Sequence, residues 1–219
     1  LGYETYAEVS LSQKMADSVE EVDTMVERLR SVAFPVAKRE LEELESFASN
    51  HGQNAPLMNW DTGYWSESMR EARFGFTDED LRPYFQFPRV LEGLFGLANR
   101  IFGITISAPD TPMPVWHEDV MTFVISDDSG AQIASFYLDP YSRPETKRGG
   151  AWLNPMRPRC RKSDGTTTLP AAYIVCNQTR PTREQPSLMT FSEVTTLFHE
   201  FGHALHHLLT TVDEPEAAG

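Results

Sequence analysis

Residues 191–211, FSEVTTLFHEFGHALHHLLTT, constrain the fold more than any other stretch. Thr190 with Glu193 three residues on makes a capping box, so the stretch opens as a helix. Val194, Leu197, Phe198, Phe201, Leu205 and Leu208 recur at three- and four-residue steps, giving that helix one apolar face for a core. His199 and His203 are four apart and stand one above the other, so both rings can reach a single ion. Glu200 lies about 100° round the helix from His199, beside such an ion rather than beneath it.

His199-Glu200-Phe201-Gly202-His203 is an H-E-x-x-H pattern, two imidazole ligands for zinc with a Glu general base. Zinc in such a site acidifies a water and polarises a scissile carbonyl, and the carboxylate carries the proton to the leaving amine. The bland alternative is an accidental spacing on a buried amphipathic helix. Against it stands the expectation that both histidines border the buried Phe- and Leu-rich side, where an unpaired polar ring is costly. His206 projects between them one turn on and reads as a packed neighbour. His207 points towards the Glu200 side and has no special claim.

A catalytic zinc site takes three protein ligands and keeps one position open, and two ligands are evident here. The pattern that adds a Gly three residues after the second His and a third His three further on is excluded, because those positions are His206 and Leu209. The downstream acids Asp213, Glu214 and Glu216 follow the helix so closely that the chain would have to double back at once. The third ligand is therefore expected beyond Gly219. The start at Leu1, with no Met, signal or transit-type leader, agrees with a fragment.

A net charge of −13 argues against nucleic acid or an anionic membrane as a partner, since either wants a basic face. No run of 18 apolar residues exists, so no transmembrane helix is expected. Cys160 and Cys176 are too few for a disulfide framework and form no Cys-x-x-Cys pair, which favours a reducing compartment.

Residues 3–50 are helical in pattern, broken at Ala16-Asp17-Ser18, with Ser18 and Glu21 as a second capping box. Val22, Met25, Val26, Leu29, Val32 and Ala33 form an apolar stripe, and Pro35 is expected to kink or divide this helix. Further helices are predicted from Asn59-Trp60-Asp61 to Arg73 and from Pro88 to Phe102, the latter apolar enough to be buried on most sides. After Gly103 the period becomes strand-like, over 104–106, 120–126, 131–138, 149–153 and 171–176, with a hairpin turn at Asp127-Asp128-Ser129-Gly130. The expected class is α+β, predominantly helical, with a small mixed sheet packed near the motif helix. The expected division is a helical region, 1–103, and a sheet-plus-motif region, 104–219.

Two features besides the motif bear on function. Arg143, Lys147, Arg148, Arg157, Arg159, Arg161 and Lys162 form either a positive rim for a peptide carboxylate or a loop balancing nearby acids. Gly149-Gly150-Ala151 lets another backbone approach, as an edge strand bonding an extended peptide would require, or permits tight packing on the motif helix. Gly150 and Ala151 are thus candidate substrate-binding residues. The loop histidines His51 and His117 read as satisfied by neighbours.

From residue 59 to 219 the chain resembles the thimet oligopeptidase family, closest to its oligopeptidase A branch. The resemblance rests on Trp60-Asp61, Tyr64-Trp65, Leu81-Arg82-Pro83-Tyr84-Phe85, Gly93-Leu94-Phe95, Ile101-Phe102-Gly103-Ile104 and Val115-Trp116-His117. It continues through Phe136-Tyr137-Leu138-Asp139-Pro140-Tyr141, Lys147-Arg148-Gly149-Gly150-Ala151-Trp152, Cys176-Asn177 and Thr196-Leu197-Phe198-His199-Glu200-Phe201-Gly202-His203. It implies zinc-dependent endopeptidase action on short peptides by a monomer with a clamshell-like zincin fold. The expected location is the cytoplasm or an organelle matrix or stroma. His199 and His203 would be ligands of one zinc ion, Glu200 the general base, and a Glu on the next helix, beyond Gly219, the third ligand. This piece alone is expected to be inactive. Rival expectations are a non-catalytic peptide-binding or scaffold relative and a dipeptide-releasing exopeptidase of the same family.

Overall fold

The computed structural model describes residues 2–54 and 56–217, in two units, Leu1–Phe76 and Thr77–Gly219. In the first unit α1 (Tyr6–Leu11), α2 (Val19–Asn50) and α3 (Thr62–Phe74) follow one another. Ser18 caps α2 by accepting from the Glu21 N–H at 3.1 Å, while the Glu21 carboxylate reaches back to the Asp17 N–H at 2.8 Å. Pro35 does not divide α2, which forgoes the one hydrogen bond its missing N–H would make. The predicted stripe from Met25 to Val32 stands exposed, and only Leu44 and Ala48 of α2 are buried. The reason is length. A 32-residue helix runs about 48 Å, and α3, with 13 residues, contacts only part of it.

The second unit opens with α4 (Asp78–Leu81), a 3₁₀ turn (Arg82–Tyr84) and α5 (Phe87–Phe102). The strands β1 (Thr105–Ser107), β2 (Met121–Ser126), β3 (Gln132–Tyr141), β4 (Trp152–Arg157) and β7 (Ala171–Gln178) make one sheet in the order β1-β2-β3-β7-β4. A separate short ladder joins β5 (Cys160–Arg161) to β6 (Thr167–Thr168), and α6 (Phe191–Leu208) closes the unit. Only the β3–β7 pair is parallel, so the sheet is mixed. With more residues in helix than in strand, the class is α+β. The β2–β3 turn closes on Asp127, whose Oδ1 accepts from the Ser129 and Ala131 N–H groups.

The compact units divide at Phe76/Thr77, not at the expected Gly103/Ile104 boundary. The change of period at Gly103 marks an element boundary inside one core. Phe87, Leu91, Leu94 and Ala98 of α5 are buried in the same cluster as Ile125, Phe136 and Ile174 of the sheet and Leu197, Phe201, Ala204 and Leu208 of α6. The helix is not buried on most sides, for Ile101 and Phe102 remain exposed.

One topological feature positions the site. Because β7 lies between β3 and β4, the connection at 142–151 must cross the C-terminal end of β7. It delivers Gly150 and Ala151 beside Cys176, Asn177 and Gln178, where α6 begins its run.

Candidate active site

The Thr190–Glu193 capping box forms as expected, with Thr190 Oγ1 accepting from the Glu193 N–H at 3.1 Å and Glu193 accepting from the Thr190 N–H at 2.7 Å. The helix therefore starts at a defined residue, which fixes the direction in which each later side chain leaves its axis. Leu197, Phe201, Ala204 and Leu208 fill the core, with Phe201 against Phe95 and Phe136 at ring-centroid distances of 6.0 and 5.9 Å.

That stripe is centred differently from the one predicted. Phe198 is exposed, and both His199 and His203 stand on the exposed face, so neither borders the core. What sets the two histidines apart is therefore not burial but their mutual geometry. The two rings lie 4.7 Å apart and nearly perpendicular, at 88°, with their Nε2 atoms 3.1 Å from each other. Two nitrogens each about 2.05 Å from one tetrahedral zinc would stand about 3.3 Å apart. The pair fits such an ion. Glu200, the residue after His199, is half-buried. Among the described residues no group of three or more His, Cys, Asp or Glu side chains converges on one metal position.

Ser192 and Thr196 lie on the same side of α6 as the histidines, at four- and three-residue steps before His199. They line a cavity of about 200 Å³ with Glu193, Gly150, Ala151, Cys176, Asn177 and Gln178. The structure thus brings the two candidate substrate-binding residues to the first turns of the motif helix. Gly150 and Ala151 precede β4 rather than belonging to it, because the strand begins at Trp152. Asn177 Nδ2 donates to the Gly150 carbonyl. Packing on the helix does not explain the glycines, since a Cβ at Gly149 or Gly150 would meet no described atom within 4 Å. Gly150 is required by its φ of +104°. Burial, opposed by the Lys147 charge and reinforced slightly by Glu200, Asp139 and Glu193, pushes the Cys176 thiol up to about 12, leaving it protonated and no nucleophile.

The basic segment divides in favour of charge balance. Arg143 and Lys147 are buried against Asp139, and Arg159 Nε donates to Asp213 Oδ1 at 2.8 Å. Arg157 Nε donates to the Leu169 carbonyl. His117 Nδ1 accepts from the Asp119 N–H at 3.2 Å, and His51 donates to the Phe47 carbonyl at 2.7 Å, so both loop histidines are satisfied locally. His206 is exposed. The histidine that packs is His207, 4% exposed, which the sequence did not distinguish from its neighbours.

Residues 1–219 match the family model described as Peptidase family M3. The chain is 49% identical over 224 residues to the organellar oligopeptidase A, chloroplastic/mitochondrial, of Arabidopsis thaliana, covering all of this chain and 28% of that protein. It is 42% identical over 219 residues to the oligopeptidase A of Escherichia coli (strain K12), covering 100% and 32%. Against the dipeptidyl carboxypeptidase of the same bacterium the identity is 34% over 209 residues, covering 95% and 30%. The chain thus spans about a third of the length of these curated relatives. By the match along its whole length and the higher identities, the chain belongs to peptidase family M3, near the oligopeptidase A branch.

Proposed function

We propose that this chain carries part of the active site of a zinc-dependent oligopeptidase that hydrolyses short peptides. The observation that carries the reading is the convergence of His199 and His203 Nε2 atoms at 3.1 Å, with Glu200 the next residue on the helix. Zinc bound there would act as a Lewis acid on the scissile carbonyl and acidify a water. His199 and His203 would hold it through neutral imidazoles, with a third protein ligand supplied from beyond Gly219 in a clamshell-like zincin fold. Glu200 takes the proton of the attacking water and delivers it to the leaving amine. Gly150 and Ala151 hold the extended substrate by backbone hydrogen bonds. Their open flank and the edge position of β4 support this.

The substrates are short peptides, and the protein acts as a monomer without nucleic-acid or membrane partners. It works in the cytoplasm or an organelle. No helix among the described residues is long and apolar enough to cross a membrane. Endopeptidase action is favoured over dipeptide release by the higher identity to oligopeptidase A than to dipeptidyl carboxypeptidase. The test is a quenched fluorescent peptide with the full-length protein. Chelation of zinc and Glu200→Gln should each abolish cleavage, the latter with zinc still bound. Cleavage that survives Glu200→Gln would sink the mechanism, whereas a wild-type protein that binds the peptide without cleaving it would leave a peptide-binding relative as the better reading.

A further inference from the structure

The segment at 149–151 sits at the end of a loop that must bridge β7, and its position depends on how that loop is held. The Lys147 side chain is only 7% exposed, and its ammonium donates to three oxygens: Tyr141 O at 2.7 Å, Asp139 O at 2.9 Å and Asp139 Oδ1 at 3.0 Å. Three protons meet three acceptors, all on the last residues of β3. The Asp139 carboxylate is itself fixed. Arg143 donates to both of its oxygens, at 2.7 and 2.6 Å, and Trp116 Nε1 donates to Oδ2 at 3.1 Å.

A lysine is seldom buried without a reason, since the charge must be desolvated and the side chain's rotamer freedom given up. Lys147 shares in the charge balance of Asp139, but Arg143 already holds both carboxylate oxygens in a bidentate pair. What the third partner adds is mechanical, because Lys147 lies two residues before Gly149 and three before Gly150. The far end of the same segment is held by Asn177 at the Gly150 carbonyl. Between the two pins Arg148, Gly149 and Gly150 are exposed. The segment is held at both ends and open along its middle, which is how a recognition element is preorganised at low entropic cost to binding.

We infer that Lys147, seated on Asp139 and the end of β3, is a positioning residue for the peptide-binding segment 149–151. The inference rests on the proposed role of Gly150 and Ala151, and its test separates the two. Lys147→Met removes the ammonium while leaving Asp139 paired with Arg143 and Trp116. Lys147→Arg keeps the charge but cannot place three donors on three oxygens from one atom. In the full-length protein, limited tryptic cleavage between Arg148 and Gly149 should accelerate about tenfold or more in Lys147→Met, with cleavage after Arg161 unchanged. Affinity for a short fluorescein-labelled unstructured peptide, measured by anisotropy on zinc-free protein, should fall about fivefold or more. Lys147→Arg should show a smaller effect in the same direction on both readouts.

Unchanged cleavage at Arg148 in both variants would overturn the inference. So would acceleration at every tryptic site, which would make Lys147 a general prop of the fold. Should Lys147→Met unfold, Lys147→Arg decides by the same two readouts. If the wild-type protein fails to bind the peptide, the substrate-binding reading fails, and selective cleavage at Arg148 still decides whether Lys147 holds the segment.

Discussion

His207, near the end of α6, donates its Nε2–H to the carbonyl oxygen of Arg157, the last residue of β4, across 3.1 Å. The bond sets the ring tautomer and ties the helix that bears the histidine pair to the sheet edge that follows Gly150 and Ala151.

Replacing His207 by Leu keeps a buried side chain of similar bulk and loses the bond to Arg157. Urea denaturation should show about 1–2 kcal/mol of destabilisation. His207→Ala should lose more, because it also leaves a cavity.

Asp139→Asn should be more severe. Burial pushes the Asp139 carboxyl up, but hydrogen bonds from Arg143, Lys147 and Trp116 outweigh it and hold the group below its ordinary value. A carboxylate depressed in the folded state contributes stability above its unfolded pKa of about 3.9 and loses it as pH falls through the folded value. The stability gap between wild type and Asp139→Asn should be about 3–5 kcal/mol at pH 7. It should narrow below the ordinary carboxylate range. Equilibrium unfolding at pH 7, 5 and 3 checks the sign, and a gap constant over this range would contradict it.

Gly150→Ala tests backbone against side-chain space. The space beside Gly150 is open, so any penalty comes from φ +104° and should be about 1–3 kcal/mol. Gly149→Ala, at a residue without a positive φ, should be close to neutral in stability by thermal melting. Both should weaken peptide binding if a backbone docks there.

His203→Ala should lower zinc affinity at least about 100-fold in competition with a chromophoric chelator, on the proposed two-histidine seat. His206→Ala should leave it unchanged, since that ring is exposed one turn on and outside the converging pair.

Much of the local structure was legible because it is written within a few residues. The capping box at Thr190 and Glu193 and the turn at Asp127 are such cases, each needing only side chains and backbone three or four residues apart. The spacing of His199 and His203 likewise predicted their convergence. Which side of α6 would be buried was less legible. The apolar residues cover a wide arc, and only packing against Phe95 and Phe136 selects Phe201 over Phe198 as its centre. The insertion of β7 between β3 and β4 was not legible, because strand order depends on partners distant in sequence. The same holds for Lys147. Its charge placed it in a basic loop, and only the crossing over β7 turns it inward onto Asp139.

The central place of β7 also sets an order of assembly. β4 is synthesised before β7, yet among the described residues β7 is its only strand partner. Until residue 178 is in place, the edge that follows Gly150 has nothing to dock on. α6 begins only 13 residues after that strand ends. The wall of the proposed active site and the helix that bears the histidine pair thus both wait on β7. Until then α5 also lacks Ile174 of β7 and Leu197 and Phe201 of α6, which share its core.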